Sequence, residues 1–299
     1  VLIGAFAGHD ITTGARNTVV GHDALSSEDT GSRNVAIGYE ALQALNYDGD
    51  AYNVAVGYNA GHDITTGTQN TIIGGLAGDA LTQGSNNTAL GYGALGTEDT
   101  SSYAVAIGHN ALATQNAPAD TYNVAVGMNS DASNYNTAIG YSAGFNVTTG
   151  VQNTIIGGQA GDSLTTGNHN VAIGFRALSD EDTGSNSLAI GYYALNKQNN
   201  DSNNYNIGIG HSACLEITTG TNNVLVGGLA GSNLVGGGYN VAIGTQALYT
   251  EDGHGKNVAV GFESLKVQDA GSDAYNVAVG YQSGKAVTTG VGNTIMGGA

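Results

Sequence analysis

The stretch NVAIG at residues 34–38 (Asn34-Val35-Ala36-Ile37-Gly38) decides how this chain folds. Val and Ile around a small residue suit a short strand. The closing glycine suits a corner that other residues resist. The string recurs from end to end. Its closing glycines are Gly4, Gly21, Gly38, Gly57, Gly74, Gly91, Gly108, Gly127, Gly140, Gly157, Gly174, Gly191, Gly210, Gly227, Gly244, Gly261, Gly280 and Gly297. The intervals are 17 or 19 residues, apart from one of 13 between Gly127 and Gly140. Elsewhere three intervals of 17 and one of 19 make a 70-residue super-repeat of four coils. An acidic pair marks each super-repeat (Glu28-Asp29, Glu98-Asp99, Glu181-Asp182, Glu251-Asp252). Each 19-residue coil carries a tyrosine five places before its glycine (Tyr52, Tyr122, Tyr205, Tyr275).

Helix-pair repeats need about 33 residues or more, so coils this short are single rungs. The expected fold is all-β, a parallel β-solenoid (β-roll) of about 18 short rungs. At about 4.8 Å per rung it would be a rod roughly 80–90 Å long. Residues 1–299 read as one repeat array, with a local narrowing or bend expected in the short coil at 127–140. The chain begins and stops inside a repeat, which reads as the ordered fragment of a longer protein.

Position within the motif suggests what each residue does. The residue before the glycine is apolar in every coil, and the residue two earlier is Val, Thr, Ile or Leu. Period two puts these two on one face, expected to be the core. The residue between them is Ala in 11 of 17 coils and never polar. A strand apolar on both faces is buried on both, so this second face is expected to meet another subunit. Asn opens the motif in 15 of 17 coils, the exceptions being Ala104 and Ser187. A stacked amide ladder between rungs is the expected role; a ligand-binding Asn array is the alternative. The TTG strings, such as residues 65–67, read as turns.

Composition narrows the function. Seven Lys+Arg against 24 Asp+Glu give a net charge of −17. Nucleic acid and anionic membrane surfaces both call for basic residues, so neither partner is expected. No apolar run is long enough to span a bilayer. Cys214 is the only cysteine, so no internal disulfide or Cys-x-x-Cys zinc site is possible.

Several short motifs invite a chemical reading that their context withdraws. GYGALG at 91–96 matches a phosphate loop, but no helix pattern follows it. GYSAG at 140–144 matches a nucleophile elbow, yet the equivalent slots read GYNAG and GGQAG, so Ser142 is a repeat variant. The Glu-Asp pairs, four rungs apart, lack any calcium-loop spacing and are expected to be solvated turns. The histidines are expected at the surface or locally satisfied. The alternative is an axial metal in a threefold assembly, through His22, His109 and His211, which share the slot after the glycine. An ice-binding surface would need a threonine row on every rung, and the threonines are irregular. No catalytic, cofactor or metal residues are therefore expected, and the chain is not expected to be an enzyme.

NVAIG followed by AL or AG resembles the YadA-like head repeat of trimeric autotransporter adhesins. The strings NTIIGGLAG and TTGTQNTIIG also resemble Gly/Asn/Thr repeats of bacteriophage tail fibres. The coil here is a little longer than in the adhesin heads. The resemblance implies a homotrimer of parallel β-rolls, with Val35 and Ile37 filling the roll and Ala36 facing a neighbour. It further implies the shaft of an extracellular, cell-surface or virion fibre that attaches to a cell or surface. The partner would be a cell-surface glycan or protein receptor, touched through exposed turns, among them the tyrosine-bearing and Glu-Asp turns. The rival readings are a self-assembling extracellular filament and, further off, a monomeric β-solenoid binding protein or polysaccharide-active enzyme.

Overall fold

A chain that spends three residues on a strand and about fourteen on turns must satisfy its backbone against its neighbours. The computed structural model, which describes residues 1–97, 99–113, 122–131 and 135–298, shows how. Two compact units, Val1–Ser142 and Ala143–Ala299, are built from the same coil. The first holds β1 (Leu2–Ile3), β2 (Thr18–Val20), β3 (Val35–Ile37), β4 (Val54–Val56), β5 (Thr71–Ile73), β6 (Thr88–Leu90), β7 (Val105–Ile107), β8 (Val124–Val126) and β9 (Thr137–Ile139). The second holds β10 (Thr154–Ile156), β11 (Val171–Ile173), β12 (Leu188–Ile190), β13 (Ile207–Ile209), β14 (Val224–Val226), β15 (Val241–Ile243), β16 (Val258–Val260), β17 (Val277–Val279) and β18 (Thr294–Met296). The described residues contain no helix, and the fold is an all-β parallel solenoid.

Within each unit, successive strands pair parallel and in register. Val35, Ala36 and Ile37 lie beside Val54, Ala55 and Val56. Register survives the 13-residue interval, where Val124 pairs with Thr137. The narrowing expected in that coil turns on residues 132–134, which lie outside the described residues.

The two strand faces are the reverse of the expectation. Ala36, Ala55, Ala106 and Ala172 are buried, whereas Val35 and Ile37 are only half-buried. The small residue fills the roll and the branched pair points outward. The interior is narrow, and a second segment of the same coil occupies it. Leu42, four places after Gly38, is fully buried. A Cβ built on Gly208, in the middle of β13, would lie 2.9 Å from Leu195 Cγ. The middle slot therefore faces the slot four after the glycine, and the space between them holds one large side chain. Coils with a large middle residue show the exchange: Ile72, Ile155 and Leu225 are matched by Gly78, Gly161 and Gly231. A Cβ on Gly231 would lie 2.8 Å from Leu225 Cδ1. Close packing of this kind leaves no room for two side chains of leucine size, although Val19 and Leu25 are buried together in the coil of Gly21.

The closing glycine is required twice over. Gly38 has φ 144° and Gly57 φ 147°. A Cβ on Gly38 would sit 2.0 Å from the carbonyl oxygen of Gly57 in the next coil. Three other slots are left-handed in nearly every coil, as at Arg33 (φ 66°), Glu40 (φ 51°) and Leu42 (φ 51°). β-Branched residues resist that conformation, and Val, Ile and Thr are absent from all three slots. The turn amides bond to coils on both sides: Glu40 N–H donates to His22 O (2.9 Å) and Leu42 N–H to Ala60 O (3.1 Å).

The asparagines form the expected ladder: the repeated clamp is directed at the following coil, and Asn223, Asn257 and Asn293 also donate back to the asparagine of the preceding coil. Asn53 Oδ1 accepts from Asn70 N–H at 2.9 Å, and Asn53 Nδ2 donates to Gly67 O at 2.7 Å. Asn70 repeats both bonds, with Asn87 N–H and Gly84 O, at 2.9 Å each. Where Ala104 replaces Asn, its N–H still donates to Asn87 Oδ1. The amides join backbone to backbone inside the roll, which leaves no array for a ligand.

Candidate functional site

The outward strand face keeps a constant chemistry from coil to coil within each unit. Alternation carries it beyond the three strand residues. Counting from the closing glycine, the residues five, three and one before it and the residue one after it all point outward. In the coil ending at Gly57 these are Tyr52, Val54, Val56 and Tyr58. The two inner columns are Val, Ile, Leu or Thr in nearly every coil, closing with Met296. They are half-buried along most of the ladder and exposed at Ile73, Leu90, Ile139, Ile243, Val279 and Met296, among others.

Aromatic columns border this apolar stripe. After the glycine, His22, Tyr39 and Tyr58 stack with centroids 5.4 Å apart. Tyr92 stacks on His109 at 5.5 Å, and Tyr192 lies between Phe175 and His211. On the opposite border Tyr103, Tyr122 and Tyr135 form a second stack. Arg33 sits over Tyr52 and Lys256 over Tyr275, each 5.1 Å from the ring. A large apolar patch left open to water marks an interaction surface. A shallow groove on this face is lined by His169, Val171, Leu188, Tyr205 and Ile207.

Charge is partitioned just as sharply. None of the 24 Asp+Glu residues occupies any of the four outward columns. Of the seven Lys+Arg, Arg16, Arg33 and Lys256 stand in the outermost one. In a chain of net charge −17 these four columns thus hold no carboxylate in either unit, and the nearest, Asp50 and Asp273, are paired with Arg33 and Lys256 at the outer border. Self-repulsion across that face is removed where apolar contact is available.

The structure places the remaining candidates elsewhere. In GYGALG, Gly93 N–H donates to Gly75 O and Leu95 N–H to Ala111 O. The amides that would cradle phosphate are spent on neighbouring coils. Ser142 is half-buried, and none of the described histidines hydrogen-bonds to it. His22, His109 and His211 are members of the aromatic stacks. His62 pairs with Asp63 at 2.6 Å. Cys214 is fully buried, and burial pushes its thiol well above the ordinary range, so it is unreactive. Tyr52, Tyr122, Tyr205 and Tyr275 are exposed, on the border of the outward face.

The Glu-Asp pairs are a correction. Glu28, Glu181 and Glu251 are fully buried, not solvated; Glu98 lies outside the described residues. Glu28 accepts from the N–H groups of Gly31 (2.7 Å) and Tyr47 (3.2 Å). Glu181 accepts from Gly184 N–H (2.7 Å) and from Gln198 Nε2 and Asn204 Nδ2 (2.9 Å each). Burial raises all three carboxyls above the ordinary value of 4.5. The neighbouring aspartates give their carbonyls to the preceding turn: Asp29 O accepts from Thr12 and Thr13, and Asp182 O from Thr165 and Thr166. The glutamates and the aspartate carbonyls close the corner of the coil, while the side chains of Asp29 and Asp182 are half-buried and that of Asp252 is exposed.

No helix among the described residues is long and apolar enough to cross a membrane. Comparison with protein-family models, with curated proteins and with solved structures finds no match to this chain.

Proposed function

We propose that this chain is the shaft of a homotrimeric extracellular or virion fibre that serves attachment, with no catalytic activity of its own. The observation that carries the reading is the outward face: apolar, bordered by stacked aromatics and empty of carboxylates on an acidic chain. A second copy of the same chain is the partner best matched to it. Within each unit successive strands pair parallel and in register, so an identical ladder can meet the face rung by rung. The repeat's resemblance to trimeric adhesin heads supplies the threefold count. Once that face is covered, the acidic remainder keeps the assembly soluble. The bordering tyrosines are then the exposed groups available to a receptor, each contact weak and repeated along the shaft.

Ile173→Glu combined with Ile190→Glu tests the surface. Both side chains point outward, so circular dichroism should stay unchanged while the solution mass falls to one chain. An unmodified chain that associates, together with a variant that associates equally well, places the interface elsewhere. For attachment, the segment is replaced by an unrelated rod of equal length. Undiminished cell binding assigns the segment a mechanical role; lost binding assigns it contacts of its own.

A further inference from the structure

The three buried glutamates sit at the same place in the coil, and two of them are fully satisfied. The third is not. Glu251 Oε1 accepts from His254 N–H at 3.2 Å, while Glu251 Oε2 is buried without a hydrogen-bond partner. Three substitutions relative to the Glu181 coil explain the difference. Ala274 stands where Asn204 donates to Glu181. Asp269 stands where that coil has Asn199, and His254 where it has Gly184. Gln268 holds the place of Gln198, yet its Nε2 has no partner and makes no bond to Glu251. Donors have given way to acceptors and an imidazole around a buried carboxylate. His254 Nδ1 is also buried and unpartnered, 3.4 Å from Glu251 Oε1 without hydrogen-bond geometry.

From this arrangement we infer a divalent cation site of the zinc type, formed by Glu251, Asp252, His254 and Asp269. Each offers one ligand atom, and the four atoms lie within 4.8 Å of one another. One imidazole nitrogen with three carboxylate oxygens matches the four-coordinate preference and donor types of zinc. The imidazole disfavours calcium and magnesium, which take oxygen ligands. Asp252 and Asp269 are exposed and give the ion a path to Glu251 at the base. Asp269 comes from the coil after the one that supplies the other three, so the ion would staple two consecutive coils.

The test is calorimetric titration of the EDTA-treated full chain with Zn²⁺, with thermal midpoints measured in Zn²⁺ and in Ca²⁺. One Zn²⁺ should bind per chain and raise the midpoint, and Ca²⁺ at the same concentration should not. His254→Gly installs the residue that Gly31 and Gly184 already supply at this place, so it keeps the fold. It should weaken zinc binding by at least about tenfold, as should Asp269→Asn. Absence of zinc binding by the unmodified chain overturns the site. Unchanged affinity in His254→Gly overturns it as well, assigning the zinc to surface histidines. None of these outcomes depends on the chain forming a fibre.

Discussion

Leu225 and Gly231 face each other inside one coil, and moving the large side chain from one place to the other tests how the roll is filled. Leu225 is fully buried, so Leu225→Ala should cost about 2–5 kcal/mol. Gly231→Leu alone drives a side chain into Leu225, whose Cδ1 lies 2.8 Å from the new Cβ. That overpacking should cost about 1–3 kcal/mol or more. The double substitution re-creates the combination of Ala36, Leu42 and Leu45, all fully buried. Backbone strain is no obstacle, since Gly231 has φ 53° and Leu42 φ 51°. The double variant should therefore lie within about 1.5 kcal/mol of the unmodified chain, a favourable coupling of at least about 1.5 kcal/mol. Repeat arrays open locally, so the assay is hydrogen exchange of the amides from 224 to 234, alongside urea unfolding. Protection should fall in each single variant and return in the double. Effects that simply add would refute the claim that these two slots share one space.

The remaining predictions concern the ladder and the carboxyls. Asn70→Ala strands Asn87 N–H and Gly84 O inside the roll and should cost about 2–4 kcal/mol, read as a lower urea midpoint with faster exchange at Asn87. Burial raises the Glu28 and Glu181 carboxyls, so the folded chain holds these protons more tightly than the unfolded chain. Both should add thermal stability as pH falls from neutral through their raised values to 4.5, and nothing further below; Glu181→Gln should flatten that slope. Glu263 behaves oppositely. Hydrogen bonds from Lys266, Lys285 and Gln282 lower it to about 2, so its contribution is present above its ordinary value of 4.5 and is lost as pH falls toward 2. A Glu263→Gln profile that still loses stability in that acid range to the same extent would assign the loss to other groups.

Much of the coil was legible in the sequence. The interval of 17 or 19 residues sets the rung, and the motif sets the strand register. Gly38 and its equivalents mark a corner with no room for a Cβ, and Asn53 and its equivalents mark the ladder. The two faces lie the reverse of what the sequence suggests, because side-chain size is not the sign of burial in this coil. In a wide sandwich Val35 and Ile37 would be interior. In this narrow roll the interior is shared with Leu42, and only Ala36 fits beside it. The exchange of Ile72, Ile155 and Leu225 against Gly78, Gly161 and Gly231 was the available signal. So was the run of outward residues at 52, 54, 56 and 58, which alternation alone connects. The buried glutamates left a fainter trace. An acidic pair in a turn is ordinarily solvated, and the groups that satisfy Glu181 come from Gly184 in its own turn and from Gln198 and Asn204 in the next coil. The cluster at Glu251 was harder still, because Asp269 joins it through coil stacking and no contiguous motif spells it out.

The central claim is that the carboxylate-free outward face is covered by copies of the same chain. Light scattering after size exclusion tests it most directly. The account predicts a solution mass of about three times 29.9 kDa. A species of twice 29.9 kDa would keep the interface and remove the threefold axis; a stable species of 29.9 kDa with its apolar face open to water would contradict the account.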